Sequence, residues 1–264
     1  MNWSRAKTIL IFLFLGTAIF QLFVIFTSDN KANKISPEII TSTVQILKEN
    51  GININESIIP KENHSLPMAT ADNAITDYSE FAGLLIGNDY TIENEKEYSS
   101  GIGTIRFYAN RFNFTMKNSA VYSENKDNVA IDNSKKFLEG IGFDLSTAEK
   151  EVKKTESGYC VVYTNTVASL PVFNSQTIVS YNNIQGTWFN ITDVTDTVRL
   201  KSITSVLIDL IKEDIPKPAE ITDISLGYII PENKMYQKSV TLIPAWQITF
   251  DSGEKITIDA RSPQ

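Results

Sequence analysis

The first 26 residues restrict this chain more than any other part of it. Residues Ile9 to Phe26 carry no charge and are mostly Ile, Leu and Phe. At about 1.5 Å per residue, a helix of that length spans roughly 27 Å, close to the thickness of the hydrocarbon core of a bilayer. We therefore predict a transmembrane helix at 9–26, which would fix the rest of the chain to a membrane.

A cleavable signal peptide is the main alternative, because Arg5 and Lys7 form a basic region before the apolar segment. The apolar segment is long for a signal peptide, and the residues that follow Phe26 lack the small-x-small pattern of a cleavage site. No cysteine follows that would carry a lipid. These features favour an uncleaved anchor.

The expected topology has a cytoplasmic tail at 1–8, a linker at 27–35 and an exported body. The positive-inside rule hardly decides the orientation, because Lys31 and Lys34 nearly balance Arg5 and Lys7. A long domain is translocated largely regardless of its charge, whereas a tail of eight residues is easily retained. We predict a single-pass protein of the cell membrane with an extracellular body.

The charge of the chain excludes some partners. Its formal net charge is −7, and its Lys and Arg residues do not cluster. Binding to phosphates requires a basic surface, so no nucleic-acid partner is expected. The same charge argues against a body that lies flat on anionic lipid.

The pattern of the body predicts an α+β fold with helices packed on antiparallel sheets. In the N-terminal region, 36–128, Ser36 and Pro37 start a helix that Gly51 ends. Alternation of apolar and polar residues predicts a strand at Ile52–Ile59 and a hairpin at Gly103–Met116, and the composition of Lys61–Glu80 indicates a loop.

The second half, 129–264, reads as two helix-plus-sheet modules, about 129–192 and 193–264. Helices are predicted at Asn133–Glu139 and Asp196–Glu213. The module boundaries follow a weak repeat, Ser169-Leu-Pro-Val-Phe173 and Leu242-Ile-Pro-Ala-Trp246. The repeat indicates an internal duplication; alternatively, the two segments are unrelated strands that each contain a proline. The predicted strands are Tyr159–Val167, Gln176–Tyr181, Thr187–Ile191, Ile221–Tyr228, Ser239–Phe250 and Glu254–Asp259, with a turn at Ser252-Gly253.

Residues suited to catalysis or metal binding are scarce. His64 is the single histidine, in a polar segment, and Cys160 is the single cysteine, inside a predicted strand. One of each cannot supply a zinc site, and calcium-loop and phosphate-loop motifs are absent from the sequence. We therefore predict no catalytic, cofactor-binding or metal-binding residue and no enzymatic activity.

One group of polar and small residues lies inside the predicted anchor. Thr17 and Gln21 are four residues apart and share a helix face, with Gly16 beside them. A primary amide in hydrocarbon needs a partner, and small residues allow helices to approach closely. The pattern is consistent with a contact to another membrane helix. Alternatively, Gln21 reaches towards the lipid headgroups.

The chain resembles the YycI family of bacterial signalling accessory proteins. The resemblance rests on Met1-Asn-Trp-Ser-Arg-Ala-Lys-Thr8 running directly into one apolar helix, on Leu47-Lys-Glu-Asn-Gly-Ile52, and on Leu242-Ile-Pro-Ala-Trp-Gln-Ile248. The Pro-Ala-Trp strand is also similar to strands of YycH proteins and of PepSY-type modules. The resemblance implies that the two helix-plus-sheet modules are related and PepSY-like.

The resemblance also implies a function. Family members are single-pass membrane proteins of low-GC Gram-positive bacteria. Together with YycH they act on the sensor histidine kinase YycG, or WalK, which controls cell-wall metabolism. The anchor would contact the transmembrane helices of the kinase, and the body would contact YycH or the outer kinase domain. The family offers no catalytic residues.

The sequence is also compatible with two other functions. The body could be an extracellular sensor that binds a ligand in a pocket lined by aromatic residues such as Phe173, Trp188 and Trp246. These aromatics are also typical of a hydrophobic core. A PepSY-like module could instead act as a protease inhibitor.

Overall fold

Helices and antiparallel strands are mixed along the chain, as the sequence predicts. The computed structural model describes residues 13–21, 34–108, 111–117, 127–156 and 158–262. The predicted tail at 1–8 lies outside the described residues, as do parts of the predicted anchor and linker. Over the ranges given above, no helix combines the length and the apolar character needed to cross a membrane.

The α-helices among the described residues are α1 at 13–21, α2 at Pro37–Glu49, α3 at Tyr78–Ile86, α4 at Asp127–Gly140 and α5 at Ile203–Asp209. The strands are β1 Ile52–Ile54, β2 Ser65–Asn73, β3 Thr91–Asn94, β4 Glu97–Ser99, β5 Gly103–Tyr108, β6 Arg111–Met116, β7 Glu149–Thr155, β8 Gly158–Val167, β9 Leu170–Val179, β10 Asn183–Gly186, β11 Phe189–Arg199, β12 Ala219–Ile229, β13 Ser239–Phe250 and β14 Lys255–Asp259. Short 3-10 helices lie at Glu56–Ile58, Leu210–Lys212 and Glu232–Lys234.

The chain divides into two compact units, residues 1–64 with 201–222 and residues 65–200 with 223–264. The sequence placed the boundaries elsewhere, at 128/129 and 192/193. The structural division groups α5 with α2 because these two helices pack against each other, burying Leu47, Val206 and Leu207 completely. The internal duplication stays a prediction.

In the first unit, α2 begins as predicted. The Ser36 hydroxyl accepts a hydrogen bond from the Ile39 N–H at 3.4 Å, and Pro37 occupies the first turn. Gly51, with φ of +77°, follows the helix, and β1 then pairs in parallel with the start of β12. The predicted strand at 52–59 is correct only up to Ile54, because Glu56–Ile58 forms a 3-10 turn.

Helix α5 is shorter than the predicted helix at 196–213. Residues up to Arg199 extend β11 instead, and Ser202 caps α5 by accepting a hydrogen bond from the Ser205 N–H at 3.3 Å. The predicted apolar stripe is nevertheless buried, with Val206, Leu207 and Leu210 at 0% exposure. Hydrogen bonds from Lys201 and Lys212 to Asp209 lower the pKa of its carboxyl group to about 2.

In the second unit, a large and mostly antiparallel sheet has the strand order β11-β2-β13-β12-β9-β10-β6-β5-β4-β3. Strand β14 pairs with β13, and β7 and β8 extend the sheet from β9. The core cluster includes side chains of α3, α4 and the strands near β5 and β6. Phe81 contacts Phe112 edge-to-face with ring centroids 5.1 Å apart.

The segment 61–80, predicted to be a loop, contains a strand. β2 pairs with β11 and with β13, and its inward side chains include Ala69 and Ala71, both at 0% exposure. Small alanines between polar residues give a weak strand signal in the sequence, although they allow close packing inside the sheet. The sequence also gave no prediction of α3. Asp77 caps the N-terminus of this helix by accepting hydrogen bonds from the backbone N–H groups of Ser79 and Glu80.

The other predicted elements are found, but some are longer than predicted: α4 begins at Asp127 and not at Asn133, and β11 ends at Arg199 and not at Ile191. β5 and β6 form the predicted hairpin, with Phe107 opposite Phe112. β13 spans the predicted residues, and Gly253, with φ of +84°, lies in the turn that joins it to β14. Pro244 lies where β13 ends its pairing with β2 and begins its pairing with β14. Since proline has no N–H to donate, it suits such a position.

Candidate interaction surfaces

The predicted helix-contact residues Gly16, Thr17 and Gln21 lie on α1. Every residue from 13 to 21 is exposed, including Phe14 at 63% and Phe20 at 66%. A Cβ atom built on Gly16 would have no described atom within 4 Å. Exposed apolar side chains in this number are unfavourable in water.

The polar pair on α1 has the expected helical spacing. The Thr17 hydroxyl donates a hydrogen bond to the Phe14 carbonyl oxygen at 2.9 Å. Such a bond satisfies the hydroxyl within its own helix, so Thr17 can lie in lipid without a partner. Gln21 is the more demanding group, because its amide has two donor hydrogens and an acceptor oxygen.

The two residues considered for chemistry occupy unremarkable places. His64 is half-buried just before β2. Cys160 is half-buried on β8, opposite Lys153 of β7, and burial raises the pKa of its thiol. Across the described ranges, no three His, Cys, Asp or Glu side chains are grouped so that they could hold a metal ion.

The aromatics considered for a ligand pocket separate into two groups. Trp188 is completely buried and Trp246 is 2% exposed, so both belong to the core. The Trp188 ring stacks on Phe143 at a centroid distance of 5.5 Å. Phe173 is half-buried and lines an open cleft.

This amide-lined cleft, of about 450 Å³, is a surface that the sequence did not predict. Four amide side chains line it, together with Arg111, Tyr108, Phe173 and Ile178: Asn113, Asn174, Gln176 and Gln185. They come from β9 and β10, which are consecutive in the chain, and from β6, which is distant in the chain but pairs with β10. Single amides in separate strands give no signal until the strand order is known.

A second cleft of about 300 Å³ shares Arg111 with the first. Tyr78, Tyr236 and Lys238 also line it. Burial and the nearby Tyr236 and Tyr98 raise the pKa of Tyr78, so its hydroxyl stays protonated at neutral pH.

Comparison with known proteins shows the family. Residues 30–261 match the family described as YycI protein, which is most of the chain. The chain belongs to the YycI family. YycI is a regulatory accessory family, and membership supports a role in the YycFG two-component regulatory system. The resemblance predicted from the sequence is thus confirmed.

Ten chains in solved structures are similar to this chain, and two of them are as follows. One is an uncharacterized protein from Eubacterium rectale ATCC 33656, with 12% identity over 81% of this chain and 89% of that chain, at a TM-score of 0.45. The other is YycH from Bacillus subtilis, with 15% identity over 75% of this chain and 54% of that chain, at a TM-score of 0.44. No curated protein matches the sequence significantly.

Proposed function

We propose that this protein is a non-enzymatic, membrane-anchored accessory protein that modulates a sensor histidine kinase controlling cell-wall metabolism. In this proposal, residues 9–26 span the cell membrane, the body is extracellular, and a YycH-like protein acts with it. The observation that carries the proposal is the exposed apolar surface of α1 in a member of the YycI family.

The regulation needs binding energy but no chemistry. A kinase that exchanges between signalling states shifts towards the state that the accessory protein binds more tightly. Within the membrane, Gly16 allows close approach, and Gln21 can exchange hydrogen bonds with a polar group on a kinase helix. The extracellular body adds contacts outside the membrane.

Replacing both polar side chains, Thr17→Leu with Gln21→Leu, is expected to weaken co-purification with the kinase about tenfold. Interhelical hydrogen bonds in membranes contribute about 1–2 kcal/mol, which corresponds to that change. The amount of kinase retained on the tagged full chain, extracted in a mild detergent, measures the effect. Kinase output should change in parallel.

The matched control lies on the opposite face of α1. Leu15→Ile with Ile19→Leu keeps the volume and the apolar character of a face about half a turn from Thr17 and Gln21. This variant should retain the kinase as the unmodified protein does. Equal retention by the two double variants would contradict the proposed contact.

The proposed membrane topology, with the body outside the cell, is tested by cysteine labelling in a Cys160→Ser background. Ser252→Cys, in the exposed turn after β13, should react with a membrane-impermeant maleimide in intact cells. Ser4→Cys, in the predicted tail, should react only after the cells are permeabilised. The reverse pattern would place the body in the cytoplasm, and release of the body into the medium would rule out the anchor.

A further inference from the structure

The lining of the amide-lined cleft is polar and carries little charge. Among the described residues that line it, Arg111 is the single charged side chain and no carboxylate is present. A nucleotide or another polyanion would need more cations than this, and a divalent metal ion would need acidic ligands. The amides instead offer donors and acceptors together.

Part of the cleft is fixed in place by its own hydrogen bonds. Asn174 donates to the Ile230 carbonyl at 2.8 Å and accepts from the Ile230 N–H at 2.9 Å, so its amide is fully held. The Asn113 oxygen accepts from Asn183 at 2.7 Å, and its NH₂ group donates to the Gln185 oxygen at 3.3 Å. Because these amide side chains are already fixed by hydrogen bonds, less conformational entropy is lost when a ligand binds.

Other groups in the cleft remain available. Arg111, Gln176 and Gln185 are exposed. Within the part of the chain that the structure describes, Arg111 and Gln176 make no side-chain hydrogen bond or ion pair, and the Gln185 NH₂ group makes none either. These donors and acceptors line the same cleft as the half-buried side chains of Phe173 and Ile178.

The register of the sheet decides how a ligand can be held here. Asn113 lies opposite Gln185, and Gln185 lies opposite Ile178, so these three residues form a row across β6, β10 and β9. Each of these strands is paired on both sides. Their backbone groups are therefore used within the sheet, and a peptide cannot bind by adding a strand. Recognition must come from side chains.

We propose that this cleft binds a neutral oligosaccharide. A sugar hydroxyl donates one hydrogen bond and accepts two, which matches Gln176, Gln185 and Arg111 in type. The apolar C–H face of a pyranose ring packs on an aromatic surface such as that of Phe173. The cleft is large enough for a few sugar rings, since ligand sites commonly measure about 300–1,000 Å³. None of the residues that line the cleft belongs to α1, and the proposal does not depend on the proposed kinase contact.

The test is calorimetric titration of the full chain with triacetylchitotriose, a neutral trisaccharide of N-acetylglucosamine. The protein is held in lauryldimethylamine oxide, because detergents with sugar headgroups would compete for the cleft. Saturable binding is expected, with a Kd on the order of 1 mM or tighter. Gln176→Ala and Arg111→Ala should each weaken it about fivefold to tenfold, as loss of one hydrogen bond does.

Gln237→Ala is the matched control. This exposed glutamine lines the second cleft, so its loss should leave the affinity for the trisaccharide unchanged. Unchanged thermal unfolding of the Gln176 and Arg111 variants would show that their effect is local. The proposal is overturned by absence of binding, by affinity that neither variant alters, or by binding of acetyl-tetra-alanine amide in place of the sugar.

Discussion

Trp188→Ala is expected to lower the free energy of unfolding by about 3–5 kcal/mol, the usual cost of removing a large buried aromatic side chain. Trp188 is completely buried and stacks on Phe143. Its indole N–H donates to Asn190 Oδ1 at 3.1 Å. Asn190 in turn accepts from the Asp144 N–H and donates to the Gly142 carbonyl, so the loop after α4 should loosen as well.

Urea unfolding of the full chain in detergent micelles, followed by far-ultraviolet circular dichroism, measures this loss. Trp188→Phe should cost less, because it keeps a ring against Phe143 and loses only the indole hydrogen bond and part of the volume. Tyr236→Ala removes an aromatic side chain that is 66% exposed and should change stability by less than about 0.5 kcal/mol. Equal effects of Trp188→Ala and Tyr236→Ala would show that the Trp188 site is not a packed core.

Gly186→Ala is expected to destabilise the sheet by about 2–4 kcal/mol. Gly186 lies on β10 between Phe112 of β6 and Thr177 of β9. An added Cβ would collide with the Gln176 carbonyl oxygen and would approach Thr177 Cα to 2.6 Å. Both are backbone atoms of a paired strand, so they cannot move aside without disturbing the ladder.

The control for Gly186 is Gly140→Ala, at the end of α4. A Cβ there would have no described atom within 4 Å, so this variant should be neutral or slightly more stable. The midpoints of urea unfolding compare the two variants directly. If Gly186→Ala leaves the midpoint unchanged, β9 and β10 do not approach as closely as the structure indicates. Triacetylchitotriose binding should weaken with Gly186→Ala, because Gly186 lines the amide-lined cleft.

Local signals predicted those elements whose cause is local. Ser36 and Pro37 define the start of α2 by capping and by the fixed φ of proline, and both act within one turn. The alternation from Gly103 to Met116 gives a hairpin because one face of each strand is buried. The stripe of Ile203, Val206 and Leu207 is also local, although the start of α5 is not, since pairing with β2 draws Arg199 into a strand.

Elements that depend on distant partners were missed. β2 has alanines on its buried positions, and its conformation comes from pairing with β11 and β13. The amide-lined cleft needs β6 beside the hairpin of β9 and β10, and sequence spacing does not indicate that pairing between distant strands. The sequence also left undecided whether Trp188 and Trp246 belong to the core, because aromatic residues are typical both of ligand pockets and of hydrophobic cores.

The sequence by itself determined the α+β class, the apolar segment with its Thr17 and Gln21 pair, and the family. These follow from hydrophobic periodicity, helix capping and residues that are adjacent in the chain. Only the tertiary structure decided the grouping of α5 with α2, the strand at Ser65–Asn73 and the cleft of amide side chains. Such features arise from contacts between residues far apart in the chain, whose free energy depends on the strand order and register of the folded protein.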